Sequence, residues 1–254
     1  MNGEVDLSTR LRNILAIIIA LLLVGTAFGV QMMVDTPDLP PFDLLPTLLR
    51  GLSTTIMLTV FGSALALVMA LFTGILRASP YRIVRWITSI YVEIFRGTSI
   101  LVQLFWIFFV LPLPPFNVSL SALQAGILAL GLNVGAYGAE VVRGAIQSIS
   151  RGQIEASIAL NMTPTMMMRR VILPQALVRI VPPFGNLLIE LLKATSLVAL
   201  ITLADVTFQA QTLRQSVGVS RVTEIFGLLL VIYFLIAYPI TLGVRWVENR
   251  RQWA

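Results

Sequence analysis

Three long stretches without a charged residue constrain this sequence most strongly. Residues 13–34, 51–76 and 97–139 comprise 22, 26 and 43 uncharged residues. A helix needs about 20 mostly apolar residues to cross the hydrocarbon core of a bilayer. The third stretch is long enough for two such helices, and its proline-rich run at 112–115 predicts a turn between them. The chain is therefore predicted to be an all-α, polytopic membrane helical bundle.

Two further apolar segments raise the predicted number of spans to about six. One runs from about residue 183 to 203 and contains two charged residues, and the other, residues 225–244, contains none. Residues 79–96 are more polar, and two placements stay open for them. They lie along the membrane surface, or they enter the membrane ahead of a short helix at about 98–110.

The composition excludes a soluble globular domain and several kinds of chemistry. The chain is 57% hydrophobic and 12% charged, whereas soluble domains contain about 25% charged residues. It has no cysteine and no histidine, so disulfides, thiol chemistry and the commonest metal ligand are excluded. The sequence also lacks the phosphate-binding pattern G-x-x-x-x-G-K-[ST]. If ATP drives this protein, a separate chain has to bind it.

The distribution of arginine predicts the orientation in the membrane. The net charge is +6, but the basic residues are spread along the chain and form no block of the kind that binds nucleic acid. With a cytoplasmic amino terminus, thirteen arginines fall on the cytoplasmic face and three on the opposite face, as the positive-inside rule requires. The thirteen are Arg10, Arg12, Arg77, Arg82, Arg85, Arg143, Arg151, Arg169, Arg170, Arg179, Arg245, Arg250 and Arg251, and the three are Arg50, Arg214 and Arg221. Both termini are therefore predicted to be cytoplasmic.

The hydrophilic loop at residues 148–182 carries two signals for helix starts. Ser150 followed by Gln153 fits a capping box, which predicts a helix from about Arg151. Asn161 falls where that helix would end, since asparagine tolerates the left-handed conformation. Thr163-Pro164 then predicts the start of a second helix, running toward Leu173-Pro174. Two short helices at an angle are expected on the cytoplasmic face.

This loop resembles the coupling loop of bacterial ABC importer permeases, in particular the MetI-like polar amino acid uptake family. The resemblance implies that its first helix enters a cleft on an ATPase subunit. Asn161 stands where the family usually has glycine, and Ser157 where it has alanine. The residues that the resemblance assigns to ATPase coupling are Gly152, Glu155, Ala156, Ser157, Asn161, Leu173 and Pro174.

Other stretches carry the same resemblance and supply candidates for a solute pathway or its gate. They include residues 91–103, with serine for the usual proline at position 99, and residues 193–197, with alanine for the usual acid at position 194. The candidates are Gln103, Asn133, Glu140, Glu190, Lys193, Thr195 and Ser196. Charged groups inside a span face a bundle interior or a water-filled path.

Structural roles stay open for several of these candidates. Glu190 and Lys193 are three residues apart and could form an ion pair within one helix. Glu140 and Arg143 have the same spacing and could form a surface pair at a helix end. Gln103 and Asn133 could hydrogen-bond either a solute or another helix.

The resemblance covers about residues 50–247 and implies the organisation of the chain. Residues 1–49 would form a cytoplasmic end, an additional transmembrane helix and an extracytoplasmic loop. The apolar run at 14–30 is longer than the core of a cleaved signal peptide, which has about 7–15 residues. Residues 50–247 would form the transmembrane domain, and 248–254 a cytoplasmic tail.

The function implied is that of a permease subunit in the bacterial inner membrane, not of an enzyme. It would transport a polar amino acid or a similar small zwitterion, such as an opine or the compatible solute ectoine. Its partners would be two ATPase subunits that bind the ATP, a second permease chain, identical or homologous, and an extracytoplasmic binding protein, with no cofactor of its own. The alternatives are a secondary transporter driven by an ion gradient, although no inverted repeat is evident, or a structural membrane subunit.

Overall fold

The computed structural model describes residues 44–217 and 219–251. The predicted first span and the rest of residues 1–43 lie outside this part of the chain, as do residues 252–254. Everything regular within the described residues is helical. The helices are α1 (Leu44–Arg50), α2 (Leu52–Arg77), α3 (Arg82–Gly97), α4 (Ile100–Val110), α5 (Ala122–Gln147), α6 (Arg151–Ala159), α7 (Pro164–Ile201), α8 (Val206–Val217) and α9 (Val222–Arg251).

The described residues contain four helical stretches that are long and apolar enough to cross a membrane. They are Leu44–Arg77, Ala122–Gln147, Pro164–Ile201 and Val222–Trp246. A fifth crossing is formed if α3 and α4, which meet at an angle of 105°, act together as one broken span. The bundle class is therefore confirmed with up to five spans, and the sixth stays a prediction because it falls on residues 13–34.

Most of residues 79–96 belong to α3, whose buried positions Thr88 and Val92 face the bundle. The placement of α3 relative to the membrane stays a prediction. The chain then bends at Thr98-Ser99 and continues as α4, which ends in a π-helical turn at Trp106–Val110. The predicted turn follows at residues 111–116.

The central contact of the bundle is between α2 and α5, which run parallel and pack through glycine. A Cβ atom on Gly138 would lie 2.6 Å from the Cβ of Ala70, and one on Gly74 only 2.5 Å from the Cβ of Val142. Without a hydrophobic driving force between helices in lipid, such close backbone packing supplies much of the stability. Glycines on both helices therefore permit their close contact.

Helix α7 differs most from the prediction. The sequence suggested a short helix ending near Leu173-Pro174 and a span that begins at Pro182-Pro183. Instead, α7 is continuous from Pro164 to Ile201, with a π-helical turn at Met168–Ile172 and Pro182 and Pro183 in its interior.

Two features explain why the prolines do not end α7. Pro174 lies in the first turn of the segment that follows the π-helical turn, where a missing N–H group has the smallest effect. Just beyond Pro183, Gly185 lets α9 approach so closely that a Cβ there would lie 2.2 Å from Cγ2 of Val244. Neighbouring helices of this kind stabilise membrane helices that contain interior prolines.

The bundle presents a different helix at each end. Because α7 crosses it, α6 before this span and α8 after it lie at opposite ends. A second apolar cluster joins α8 to α1 and α9 through Leu48, Val206 and Ile225, which are fully buried.

Candidate functional site

Helix α6 projects from the bundle and presents two unlike faces. Ser157 is 3% exposed and Ile154 half-buried, whereas the other residues of the helix are exposed. Gly152, Ala156 and Ala159 follow one another at spacings of four and three, so they lie in one row that points away from the bundle. No atom lies within 4 Å of the position that a Cβ on Gly152 would occupy. The row is thus smooth and open, with Glu155 beside it.

The turn after α6 has the backbone geometry that the sequence predicts. Asn161 has a φ of 53°, in the left-handed region. The side chain of Thr163 accepts a hydrogen bond from the N–H of Met166 and so caps the start of α7. The predicted capping box of Ser150 is not formed, although α6 does begin at Arg151. Ser157 is buried, and its hydroxyl donates to the carbonyl of Gln153 within α6 at 2.7 Å.

Large apolar side chains surround this turn and are open to solvent. Ile158 is 60% exposed and Leu160 72% exposed, and Met166 across the turn is exposed as well. Leu173, which the resemblance groups with α6, is half-buried, and Pro174 is exposed. Exposed apolar residues at one end of a protein, rimmed by polar groups, are typical of a protein interface.

The candidates Gln103 and Asn133 bond to each other and to the break between α3 and α4. The amide nitrogen of Asn133 donates to the carbonyl of Phe95 at 2.9 Å and to the amide oxygen of Gln103 at 3.0 Å. That of Gln103 donates to Phe95 and to both oxygens of Thr98. These bonds satisfy carbonyls that the end of α3 leaves without a partner. Of the two open roles, the helix–helix role is the one the structure supports, and we call this group the amide clamp.

Glu140 is the centre of a charge cluster that joins three helices. Arg77, at the end of α2, donates to Oε1 of Glu140, and Arg143 donates to Oε2 through Nε and Nη2 at 2.9 and 2.7 Å. Nη1 of Arg96, at the end of α3, lies 3.8 Å from Oε1. Glu140 therefore does more than form the expected surface pair with Arg143, because its carboxylate also ties α2 to α5.

Glu190 and Lys193 are both exposed on α7 and point into different cavities. Glu190 lines a cavity of about 290 Å³ with Asn133 and Tyr137. Lys193 lines one of about 360 Å³ with residues of α8 and α9. No ion pair joins the two side chains in the described part of the chain, so the local i,i+3 pair that the spacing allows is not formed.

The two hydroxyl candidates beside Lys193 are placed differently from each other. Thr195 is fully buried and donates to the carbonyl of Leu192 within its own helix. This placement makes it a core residue, contrary to the expectation that it lines the pathway. Ser196 donates to the carbonyl of Lys193 and lines the same cavity as that lysine.

Asp205 is a buried carboxyl group that the sequence analysis did not single out. It is fully buried at the start of α8, where Oδ1 accepts from the N–H of Phe208 at 2.8 Å. Oδ2 accepts from the hydroxyl of Tyr233 at 3.3 Å. Burial raises the pKa of Asp205 above its usual value, against the opposing effect of the backbone hydrogen bonds from Phe208 and Thr207.

The family model for the binding-protein-dependent transport system inner membrane component matches residues 62–253. The chain belongs to this family. It is 45% identical over 211 residues to a probable amino-acid ABC transporter permease protein, y4tF, of Sinorhizobium fredii, a region covering 82% of this chain and 88% of that protein. It is 37% identical over 218 residues to the L-cystine transport system permease protein TcyB of Bacillus subtilis, covering 83% and 91%. The glutamine transport system permease protein GlnP of Escherichia coli is 35% identical over 206 residues, covering 81% and 93%.

Solved structures are similar to this permease over most of its length. An amino acid ABC transporter crystallised with histidines has a chain with a TM-score of 0.74 and 33% identity, covering 84% of this permease and all of that chain. The inward-facing MetNI methionine ABC transporter gives a TM-score of 0.65 at 24% identity, covering 81% and 98%, and this likeness bears on the fold alone.

The protein is therefore an ABC importer permease, a multi-pass subunit of the inner membrane and a transport component, not an enzyme. Family membership excludes the two alternatives that the sequence left open, a gradient-driven secondary transporter and a purely structural subunit.

Four polar residues of the site escaped the sequence analysis. They are Arg77, Arg96, Tyr137 and Asp205. Arg96 carries a signal that could have identified it, since it is a charge directly ahead of 43 uncharged residues. Arg77 carries a comparable signal, since it directly follows 26 uncharged residues, and Asp205 directly precedes α8, where its residue type fits an N-cap. Tyr137 offers no such signal, because its partner Arg96 lies 41 positions away.

Proposed function

We propose that this permease imports an amino acid or a similar small zwitterion delivered by an extracytoplasmic binding protein. The names of three relatives support this substrate class, because they refer to amino acids, L-cystine and glutamine. The exposed Glu190 and Lys193 are compatible with it, because charged groups inside a span face a bundle interior or a water-filled path.

We propose further that two ATPase subunits and a second permease chain, identical or homologous, complete the importer. The chain has no phosphate-binding loop, so ATP has to act through a partner. The face of α6 is the observation that carries this proposal. Its open row of Gly152, Ala156 and Ala159 lets a partner approach the helix backbone closely, and Glu155 adds a charge at the edge.

The fold supplies a route by which movement of α6 reaches the span. Only the turn with Asn161 separates α6 from α7, and α7 is continuous from that turn to the level of Glu190 and Lys193. Arg179 of α7 also donates to the carbonyl of Ser148 at the end of α5. A push on α6 would therefore tilt α7 relative to α5 and alter access to the cavities beside it.

We also propose that α6 and both termini lie in the cytoplasm, with α8 on the outer face. The arginine asymmetry supports this orientation. The basic residues near α6 include Arg151, Arg169 and Arg170, whereas the region of α8 contributes Arg214 and Arg221.

Reconstitution tests the proposed function. The permease is purified with its ATPase and second permease chain, placed in vesicles, and supplied with its binding protein and a uniformly ¹⁴C-labelled mixture of amino acids. We expect uptake that requires ATP, and co-purification of the ATPase with the permease. Lack of ATP-dependent uptake of any component would contradict the amino acid assignment.

A further inference from the structure

Helix α9 is the least covered of the four long apolar stretches in the described residues. Within its most apolar window 11% of the residues are buried, against 67% in α5. Its uncovered side includes Leu235, Pro239 and Leu242, all of them exposed, with Leu235 exposed to 61%. Spacings of four and three residues place these side chains in one row along the helix. This α9 row is a face for lipid or for another helix.

Two features of the α9 row favour a helix over lipid as its cover. Pro239 has no N–H group to donate to the carbonyl of Leu235 one turn earlier, and hydrocarbon offers that carbonyl no partner. Interior prolines are tolerated in membrane helices where neighbouring helices compensate for the lost bond. One turn further on, no atom lies within 4 Å of the position that a Cβ on Gly243 would occupy. A second backbone can therefore approach α9 closely at this point.

The chain itself supplies an apolar segment beside α9. Residues 13–34 contain no charge, and they lie ahead of the part of the chain that the family shares. They are joined to α1 by residues 35–43, a linker with three aspartates and three prolines that spans at most about 30 Å. Leu48 of α1 packs in one cluster with Ile225, near the start of α9. The segment is therefore tethered next to the end at which α9 begins.

We propose that residues 13–34 cross the membrane antiparallel to α9 and cover the α9 row. The direction follows from the linker, which holds Val34 at the end where α9 begins, so that a crossing segment runs opposite to α9. Gly25 and Gly29 have the G-x-x-x-G spacing of associating membrane helices and give the segment a small face. This inference goes beyond the proposed function, since it assigns a partner surface to the additional span and does not depend on the solute.

Disulfide cross-linking tests this packing, because the chain contains no cysteine and a disulfide requires Cα atoms about 4.4–6.8 Å apart. Leu235→Cys is combined with a cysteine at each position from 20 to 27 in turn, which covers about two helical turns. The chain carries an amino-terminal epitope tag and a protease site within residues 35–43, and it is oxidised in membranes of cells that contain the whole importer. We expect at least one pair to keep the tag on the large fragment after cleavage, until a reductant is added.

Phe61→Cys is the matched control on α2. Phe61 is 56% exposed, close to the value for Leu235, so neither substitution should lower the abundance of the protein in the membrane. The depths of the two residues also match, because Val244 and Ala70, each nine residues further along its helix, lie at the level of Gly185 in α7. No cysteine at positions 20–27 should cross-link to Phe61→Cys.

Three results would overturn the proposal. Cross-links to Phe61→Cys as strong as those to Leu235→Cys would show that the segment has no specific contact with α9. A dimer-sized band in the oxidised sample before cleavage would show that a second copy of the chain supplies the covering segment. Absence of any cross-link to Leu235→Cys, in variants as abundant in the membrane as the unaltered protein, would leave the α9 row to lipid.

Discussion

At the scale of single residues, Asp205 is a fully buried carboxyl group whose protonation is linked to stability. Its folded-state pKa is raised by burial, so the folded protein holds the proton more tightly than the unfolded chain does. The stability from this proton is fully present below the unfolded value of about 3.8 and is lost as the pH rises through the raised folded pKa. The charged form of Asp205 therefore lowers the stability of the folded protein, and the hydrogen bond from the N–H of Phe208 partly offsets this effect.

Asp205→Asn should remove this pH dependence, because the amide keeps an acceptor for the N–H of Phe208 and cannot ionise. Thermal unfolding of the purified permease should show the variant equal to or above the unaltered protein at pH 8, with the difference shrinking toward pH 5. Asp205→Ala should lower the unfolding free energy by about 1–2 kcal/mol, since α8 loses its cap. The stability difference between Asp205→Asn and the unaltered protein should favour the variant more at pH 8 than at pH 5. The opposite trend would contradict this prediction.

At the scale of elements, the amide clamp fixes the 105° bend between α3 and α4. Asn133→Ala removes two hydrogen bonds, which the side-chain amide of Asn133 donates to the carbonyl of Phe95 and to the amide oxygen of Gln103. Both acceptors lose this donor. The expected loss in unfolding free energy is about 2 kcal/mol. Spin labels at Ile83 and Phe109, which are exposed at the far ends of α3 and α4, should report a broader distance distribution in this variant.

Asn186→Ala is the matched control for the clamp, since it makes the same substitution at an exposed position of α7. Its distance distribution between the same two labels should equal that of the unaltered permease. If Asn133→Ala leaves the bend unchanged as well, the clamp does not set the angle.

Local signals in the sequence were sufficient for some elements and misleading for others. The start of α6 and the left-handed Asn161 could be predicted, because both depend on residues within one turn. The start of α7 at Thr163-Pro164 was predicted as well, but a break before Pro182-Pro183 was predicted wrongly, because the rule that proline ends a helix neglects packing such as that of Gly185 against Val244.

Contacts between distant residues account for what the sequence could not reveal about the site. Glu140 meets Arg77 across 63 positions of the sequence, and no spacing rule connects the two. The amide clamp likewise joins Gln103 to Asn133 across 30 positions. Glu140, Gln103 and Asn133 were identified as candidates, but their partners follow only from the packing of α2 and α4 against α5.

At the scale of the whole molecule, the orientation is open to a direct test. The natural chain contains no cysteine, so a single introduced cysteine can be labelled without background. Gln153 on α6 and Ser216 on α8 are exposed and lie at opposite ends of the bundle. An impermeant maleimide should label Ser216→Cys in intact cells, and Gln153→Cys only after permeabilisation. Labelling of Gln153→Cys from outside would reverse the proposed orientation.

Coupling of this permease to a separate ATPase through α6 is the central claim, and the affinity of the ATPase for Glu155→Lys tests it most directly. Charge reversal at an interface costs about 2–5 kcal/mol, so the ATPase should bind the reconstituted variant at least tenfold more weakly than the unaltered permease. Stimulation of ATP hydrolysis by the loaded binding protein should fall with it. Gln153→Lys introduces the same side chain on the flank of α6 away from the Gly152–Ala156–Ala159 row and should bind the ATPase normally. Equal affinity in all three proteins would contradict the assignment of α6 as the coupling helix.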